Sequence, residues 1–89
     1  MTALVTGAAK RLGRAMALEL ARAGHDVAVH YAHSADAAEA TAADIRTLGV
    51  NAVTLQADLL DEDATQALLP RAADALGQPV TTLINNASI

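Results

Sequence analysis

The sequence predicts an α/β fold built on a doubly wound parallel sheet. Four short apolar or β-branched runs alternate with three helical patterns, which is typical of a parallel sheet with helices on its faces. A glycine-bearing turn joins the first run to the first helix, and polar residues follow the third and fourth runs. Right-handed crossovers then give the strand order 3-2-1-4, with the third helix opposite the first two. This is the N-terminal βαβαβαβ portion of a Rossmann-type fold.

The first strand and the first helix come from the stretch before Gly24. "TALVT" (2–6) has the composition of a buried strand, and "LGRAMALELARAG" (12–24) has helical periodicity. Gly24 supplies the stop signal of this helix. The spacing predicts that its inner face is formed by Leu12, Met16, Leu20 and Ala23.

The second strand and the second helix follow the same alternation. "DVAVHY" (26–31) predicts a strand, and Ser34 is a good N-cap for a helix over 35–49 that ends at Gly49. The alanine-rich start of this helix could be a low-complexity stretch, but its periodicity favours a solvated amphipathic helix. The predicted inner face comprises Ala38, Thr41, Ile45 and Leu48.

Two further strands flank the third helix. "NAVTLQA" (51–57) and "VTTLIN" (80–85) predict strands, and the stretch 61–77 predicts a helix. Three acidic residues, Asp61 to Asp63, favour the positive end of its dipole. Pro70 should kink this helix or restart it as a first-turn proline.

The composition excludes several classes of function. The chain has 89 residues, 53% of them apolar, with a net charge of −4 and Tyr31 as its single aromatic residue, which argues against a nucleic-acid partner. It has no cysteine, which excludes disulfides, thiolate metal sites and cysteine nucleophiles. No signal peptide or membrane segment is predicted. We therefore expect a soluble, cytoplasmic protein without a metal site.

The predicted sheet is incompletely covered. One helix would cover a whole face of four strands, and the fourth strand would be an unprotected edge. We therefore expect residues 1–89 to be the N-terminal part of a single larger domain, with the remainder of the domain outside this chain. We also expect the full-length protein to form a homo-oligomer.

The turn between the first strand and the first helix is a candidate phosphate site. In "LVTGAAKRLGRAM" (4–16), Gly7 permits a tight turn and Gly13 permits close approach of the helix. The free amides at the helix N-terminus favour an anion. The pattern G-x-G-x-x-G is absent, because the two glycines are six residues apart with Ala8, Ala9, Lys10, Arg11 and Leu12 between them, so the motif alone is weak.

Three motifs together are more specific. Thr6-Gly7 with Gly13, Ala57-Asp58 after the third strand, and Asn85-Asn86-Ala87 after the fourth resemble the short-chain dehydrogenase/reductase family over the whole chain. Two residues depart from the family pattern: Arg11 replaces its middle glycine, and Ser88 replaces the glycine of N-N-A-G. With "HYAHSADAAEA", these departures resemble the branch of pteridine and dihydromonapterin reductases.

The resemblance implies a role for each motif. The turn from Gly7 to Gly13 would wrap the cofactor's pyrophosphate and ribose, and Asp58 would accept a hydrogen bond from the adenine amino group. Leu59 would pack beside the adenine, and Asn86 with Ala87 would line the ribose. Individually, Asp58 could equally be a helix N-cap or a turn residue, and Asn85-Asn86 could be turn chemistry. Their joint position at the carboxyl ends of three strands favours a binding site.

The residues after the second strand favour NADP(H) over NAD(H). An NAD site places an acid at the end of this strand, but none occurs from His30 to Ala35, and Asp36 lies inside the next helix. Instead the sequence has donors suited to a 2′-phosphate. His33 could also be a surface loop residue. The predicted cofactor site comprises Gly7, Lys10, Arg11, Leu12, Gly13, His30, Tyr31, His33, Ser34, Asp58, Leu59, Asn86, Ala87 and Ser88, and Arg11 and Ser88 are also predicted to contact the substrate.

The resemblance implies an NADPH-dependent reductase that transfers a hydride to a pterin-like or carbonyl substrate. The family's proton donor is the tyrosine of a Tyr-x-x-x-Lys motif, but Tyr31 is followed four residues later by Ala35. The catalytic residues therefore lie beyond Ile89 or are absent. Two alternatives stay open: a non-catalytic dinucleotide-binding module or truncated paralogue, and a family reductase that acts on acyl or sugar carbonyls.

Overall fold

The computed structural model of the protein describes residues 1–87. The four strands are β1 (Thr2–Val5), β2 (Asp26–Tyr31), β3 (Ala52–Gln56) and β4 (Thr82–Ile84). The three helices are α1 (Arg11–Arg22), α2 (Ala35–Arg46) and α3 (Glu62–Leu76). All paired strands are parallel, and the sheet order is β3-β2-β1-β4. The predicted fold class and strand order are confirmed.

The sheet separates two apolar layers. Side chains alternate along each strand, so Leu4 and Ala28 face α3 while Val5 and Val29 face α1 and α2. The layer under α3 is completed by Leu55, Ala57, Leu68 and Ala72, and the opposite layer by Ala17, Ala21, Ala38, Ala42 and Ile45. The central strands β1 and β2 are therefore buried on both faces, as expected for a parallel sheet, whereas β4 is partly exposed.

The inner face of α1 differs from the predicted one. The buried residues of this helix are Gly13, Ala17 and Ala21, whereas Leu12 is 66% exposed. Met16 and Leu20 are half-buried, and Ala23 lies beyond the last helical residue and is exposed. Gly13 meets the β1–α1 turn at backbone distance and leaves no room for a side chain, and this contact directs the small-residue face of α1 toward the core. The large apolar residues form a groove with Ile84 beside β4.

The other helices follow the predicted pattern more closely. In α2, Ala38, Thr41 and Ile45 are buried as predicted, but Leu48 lies beyond the helix end and is 41% exposed. Ser34 occupies the N-cap position of α2 without forming a side-chain cap. In α3 the Asp61 carboxylate caps the helix by accepting from the N–H of Ala64 at 3.1 Å. The helix continues through Pro70 without restarting.

The two edges of the sheet are treated differently. On β3, arginines occupy outward-facing carbonyls: Arg46 donates to the Ala52 oxygen at 2.8 Å and 3.2 Å, and Arg71 donates to the Gln56 oxygen at 2.9 Å. On β4, within residues 1–87, no side chain forms a hydrogen bond with the main chain of Leu83.

None of the helices in residues 1–87 has the length and the apolar character that a membrane span requires.

Candidate functional site

The β1–α1 turn leaves the N-terminus of α1 open. Gly7 has a φ of +64°, which a glycine adopts without steric cost. Lys10 is the N-cap of α1, and no side chain of the described residues caps this end. The first amides of the helix are therefore available to an anion, and the helix dipole favours a negative charge there.

Buried polar side chains fix the turn from below. The Nδ1 atom of His30 accepts from the N–H of Gly7 at 3.0 Å, and Nε2 lies 2.9 Å from the carbonyl oxygen of Ala57. The main-chain oxygen of His30 accepts from the N–H of Ala8 at 3.0 Å. On the α2 side, the hydroxyl of Thr41 lies 3.1 Å from the carbonyl oxygen of Ala9. The turn thus has little freedom to move relative to the sheet.

The end of β4 is joined to the same turn. The Oγ1 atom of Thr6 accepts from the N–H groups of Asn86 at 3.0 Å and Ala87 at 3.2 Å. The side-chain amide of Asn86 donates to the carbonyl oxygen of Gly7 at 3.2 Å. Asn86 therefore supports the turn as well as lining the space in front of it.

Gly13 is required by packing rather than by access to a ligand. A Cβ atom at this position would lie 2.1 Å from the carbonyl oxygen of Gly7 and 2.5 Å from the Nδ2 atom of Asn86. At Gly7 a Cβ atom would lie 3.0 Å from the Cα atom of Ala87. The two glycines allow α1, the turn and the β4 end to meet at backbone distance.

A cleft of about 520 Å³ runs along the carboxyl ends of the strands. It brings together most of the residues that the sequence predicted, and Ala32 and Leu60 join them. Its walls are formed by Gly7, Lys10, Arg11, Leu12, His30, Ala32, His33, Asp58, Leu59, Leu60, Asn86 and Ala87.

The remaining predicted site residues lie beside this cleft or outside it. Tyr31 and Ser34 line an adjoining depression together with Lys10 and His33. Gly13 lies behind the turn, against Gly7. Ser88 falls outside the described residues.

Asp58 is a turn residue whose carboxylate also lies in the cleft, and it is not the N-cap of α3. Its Oδ1 atom accepts from the N–H of Leu60 at 2.9 Å, which makes it a turn residue, while the N-cap of α3 is Asp61. Asp58 is also exposed in the cleft. A carboxylate offers about four acceptor positions, so this turn leaves capacity for a donor from a ligand.

The β2 end of the site is basic and hydroxylic. Lys10, His33 and Ser34 also line a second depression, at the start of α2. Asp36 is its only acidic lining residue among those described. Arg11 forms no ion pair within residues 1–87, where the ion pairs are Arg14 with Asp44 and Arg22 with Glu19. The guanidinium of Arg11 is thus uncommitted at the mouth of the cleft.

Sequence reasoning missed two residues that build the site. The Thr6-Gly7 motif predicts no role for the Thr6 side chain, although its hydroxyl joins the end of β4 to the turn. Thr41 was predicted as a core residue, yet it accepts from Arg14 at 3.1 Å and contacts the carbonyl of Ala9. The available signal was a threonine on an otherwise apolar inner helix face, because a buried hydroxyl needs a partner.

The chain resembles known proteins along its whole length. The profile of the short chain dehydrogenase family matches residues 1–89. A 3-oxoacyl-(acyl-carrier-protein) reductase of Staphylococcus aureus is 41% identical over 88 residues, which are 99% of this chain and 35% of that protein.

Two solved structures are similar in fold and sequence. A short chain dehydrogenase from Burkholderia cenocepacia in complex with NADP gives a TM-score of 0.92 at 44% identity, over 98% of this chain and 35% of that one. FolM alternative dihydrofolate reductase 1 from Brucella suis, in complex with NADP, gives a TM-score of 0.90 at 41% identity, over 99% and 36%. The chain thus spans about a third of the length of these relatives. Because the family profile matches residues 1–89, and the glycine turn, Asp58 and Asn86 lie together on one parallel sheet, the chain belongs to the short-chain dehydrogenase family.

Proposed function

We propose that residues 1–89 form the cofactor-binding part of an NADPH-dependent reductase, and that they are the N-terminal part of a single dinucleotide-binding domain. The observation that carries the proposal is the cleft at the carboxyl ends of the strands. It combines an open helix N-terminus with the basic and hydroxyl side chains at the end of β2. NADP is bound in the two similar structures described above, which supports the same cofactor here.

The pyrophosphate belongs at the β1–α1 turn. The uncapped amides of α1 suit an anion, and Gly7 keeps the backbone free of a side chain where the phosphates approach. Asp58 and Leu59 form the adenine end of the cleft, and Asn86 with Ala87 forms the ribose wall beside β4. Bound there, NADPH would supply a hydride to the substrate.

The 2′-phosphate belongs near the end of β2. Lys10 supplies a positive charge, and Ser34 and His33 supply donors in the same depression. The position at which NAD sites place an acid is free of acidic side chains from His30 to Ala35. Asp36 is the exception in the neighbourhood and is expected to weaken the preference for a phosphate.

The substrate of the intact protein is proposed to be a pterin or a related folate-type ring. Arg11 has a φ of +55°, a conformation that costs a residue with a Cβ atom about 1–2 kcal/mol. Strain of this kind is found where a side chain has a function. A planar guanidinium suits the acceptor edge of a pterin as well as phosphate oxygens. Ser88 is the proposed second contact, and the similarity to an alternative dihydrofolate reductase agrees with this substrate class.

A reductase of acyl carbonyls is the second candidate. The 41% identity to a 3-oxoacyl-(acyl-carrier-protein) reductase favours it. In either case the proton donor is expected in a Tyr-x-x-x-Lys motif, where a lysine beside the phenol lowers its pKa toward neutrality. No such motif occurs in residues 1–89.

The test is a binding and turnover experiment on the intact protein. Calorimetry with NADPH and NADH decides the cofactor, and turnover of a dihydropterin, dihydrofolate and an acetoacetyl thioester decides the substrate. Tighter binding of NADPH with turnover of a pterin or folate supports the proposal. Turnover of the thioester alone would favour the acyl reductase, and cofactor binding without any turnover, in a protein lacking Tyr-x-x-x-Lys, would favour a non-catalytic module.

A further inference from the structure

His30 is a polar residue in a position that normally holds an apolar one. It is 1% exposed, it is the fifth of the six residues of β2, and the three residues before it, Val27, Ala28 and Val29, are fully buried. A valine at this position would fill the core, but it would leave the Gly7 N–H and the Ala57 carbonyl without the partners they now have. Packing alone therefore does not account for a histidine here.

The two contacts of the imidazole fix its protonation state. A main-chain N–H can only donate, so Nδ1, at 3.0 Å from the nitrogen of Gly7, must be the acceptor. A main-chain carbonyl can only accept, so Nε2, at 2.9 Å from the oxygen of Ala57, must carry the proton. The ring is neutral in this arrangement, and neither nitrogen is available to a ligand.

These contacts reach two separate parts of the cleft. Gly7 begins the turn in front of α1, where the pyrophosphate is proposed to bind, and Ala57 directly precedes Asp58, at the proposed adenine end. Because β2 lies between β1 and β3, a side chain on β2 is the shortest link between these segments. Two main-chain hydrogen bonds join the same segments to β2: the N–H of Ala8 donates to the carbonyl oxygen of His30, and the N–H of Ala57 donates to that of Tyr31.

We propose that His30 is a positioning residue that sets the pyrophosphate-binding turn against the adenine-binding segment. This inference rests on the proposed function, and it gives His30 a different task within the predicted cofactor site. The imidazole does not touch the cofactor. It holds the Gly7 amide and the Ala57–Asp58 segment at one separation, so that both halves of a dinucleotide fit at once.

Substitution of His30 by asparagine or by glutamine removes one of its two hydrogen bonds and keeps the other. The amide of asparagine reaches about as far as Nδ1, so His30→Asn keeps an acceptor for Gly7 and loses the donor to Ala57. Glutamine reaches about as far as Nε2, so His30→Gln keeps the donor to Ala57 and loses the acceptor for Gly7. His30→Val loses both. Two probes report on the two halves: adenosine 2′-monophosphate, which lacks the pyrophosphate, and NADPH, which has it.

The ratio of the two dissociation constants in the intact protein is the readout. In His30→Gln we expect binding of adenosine 2′-monophosphate to stay within about twofold while NADPH binding weakens about tenfold, since one buried hydrogen bond at the turn is lost. In His30→Asn both probes should weaken by the same factor, because only the shared adenine end is disturbed. In His30→Val the loss for NADPH should be at least the product of the two single losses.

His25 provides a matched control. It is also buried, at 7% exposure, but it precedes β2 at the opposite end of the sheet. His25→Gln should lower the melting temperature without changing the ratio of the two constants. If His30→Asn and His30→Gln shift both probes equally, in step with their melting temperatures, His30 is only a core residue and the inference is wrong.

Two NMR measurements separate this inference from the proposed function. The imidazole nitrogen chemical shifts of His30 in the wild-type protein must show the neutral Nε2–H form. The opposite tautomer would overturn the proposed contacts of His30 with Gly7 and Ala57, and this measurement does not depend on whether a variant folds. If the wild-type protein binds neither probe, the proposed function is wrong. Hydrogen exchange at the Gly7 amide then tests the positioning role of His30. Faster exchange in His30→Gln than in His30→Asn supports this role, and equal exchange overturns it.

Discussion

Arg11 has a left-handed backbone conformation, with a φ of +55°. It is the only described non-glycine residue with a positive φ, and it is exposed at the mouth of the cleft without an ion-pair partner among residues 1–87. Glycine would fit this conformation without strain. The arginine is therefore best explained by what its side chain binds.

Three substitutions at Arg11 separate its backbone from its guanidinium. In the intact protein, Arg11→Ala should weaken NADPH binding and lower kcat/KM for a pterin. Arg11→Lys should recover cofactor affinity better than pterin turnover, because an ammonium attracts phosphate without the planar fork. Arg11→Gly should lose both functions while the protein becomes about 1 kcal/mol more stable.

Calorimetry, steady-state kinetics and thermal unfolding check these outcomes. If Arg11→Ala leaves both quantities within about twofold, a difference of roughly 0.4 kcal/mol, the arginine is a surface residue. The pterin assignment then loses its main support. Arg22→Ala, at an exposed residue of the same helix paired with Glu19, is the matched control and should change neither quantity.

His33 should contribute to the preference for NADPH as a hydrogen-bond donor. It is exposed beside Lys10 and Ser34, with Asp36 lining the same depression. A ring N–H of the imidazole can donate to an oxygen of the 2′-phosphate. In the intact protein, His33→Ala should therefore weaken NADPH binding and leave NADH binding unchanged, as measured by calorimetry. An unchanged ratio of the NADH and NADPH dissociation constants in His33→Ala would contradict this role.

At the scale of single residues, sequence reasoning found most of the cleft lining and little of its support. Asp58 and Asn86 were predictable because motifs at strand ends fall on one edge of a parallel sheet. The bonds of His30 and Thr41 were not, because they depend on which side chain meets which carbonyl across the fold. Such contacts are set by strand register and helix approach, which sequence spacing does not specify.

At the scale of elements, α1 shows how close packing overrides hydrophobic size. Periodicity favoured the face with Leu12, Met16 and Leu20, but the buried face consists of Gly13, Ala17 and Ala21. Both faces repeat every four residues, so the period alone could not choose between them. The choice is made by Gly13, where the helix meets the turn at backbone distance.

Gly13→Ala tests that contact. Inside a helix, alanine is intrinsically favoured over glycine by about 1 kcal/mol. At Gly13 the added methyl would meet the Gly7 carbonyl at 2.1 Å, so α1 must move away from the turn. We expect the intact protein to lose about 2 kcal/mol or more of stability and to bind NADPH at least about tenfold more weakly.

Gly77→Ala is the control for adding a methyl group. Gly77 has a φ of +73° and open space around it, so the substitution introduces backbone strain without a clash. It should cost about 1 kcal/mol and leave NADPH binding unchanged. Chemical denaturation and calorimetry compare the two variants. Equal losses of stability, with cofactor affinity retained in Gly13→Ala, would show that the turn and α1 are not coupled.

At the scale of the whole molecule, the two edges of the sheet imply different surroundings. The β3 edge has its outward carbonyls occupied by Arg46 and Arg71, which hinders the addition of another strand. The β4 edge has no comparable protection within residues 1–87, and Leu83 is 43% exposed there. Beside it lies the apolar groove formed by α1 and Ile84. Such a surface suits further strands and helices of the same domain.

Residues 1–89 expressed alone should therefore fold poorly or aggregate, and they should be inactive. The exposed apolar groove and the open β4 edge are the physical causes. Size-exclusion chromatography and thermal unfolding by circular dichroism check this, and a cooperative transition in a soluble monomer would contradict it. Met16→Gln distinguishes the cause, because Met16 lines the groove and is half-buried. It should reduce aggregation of residues 1–89, whereas in the intact protein, where the groove is proposed to be covered, it should lower the melting temperature.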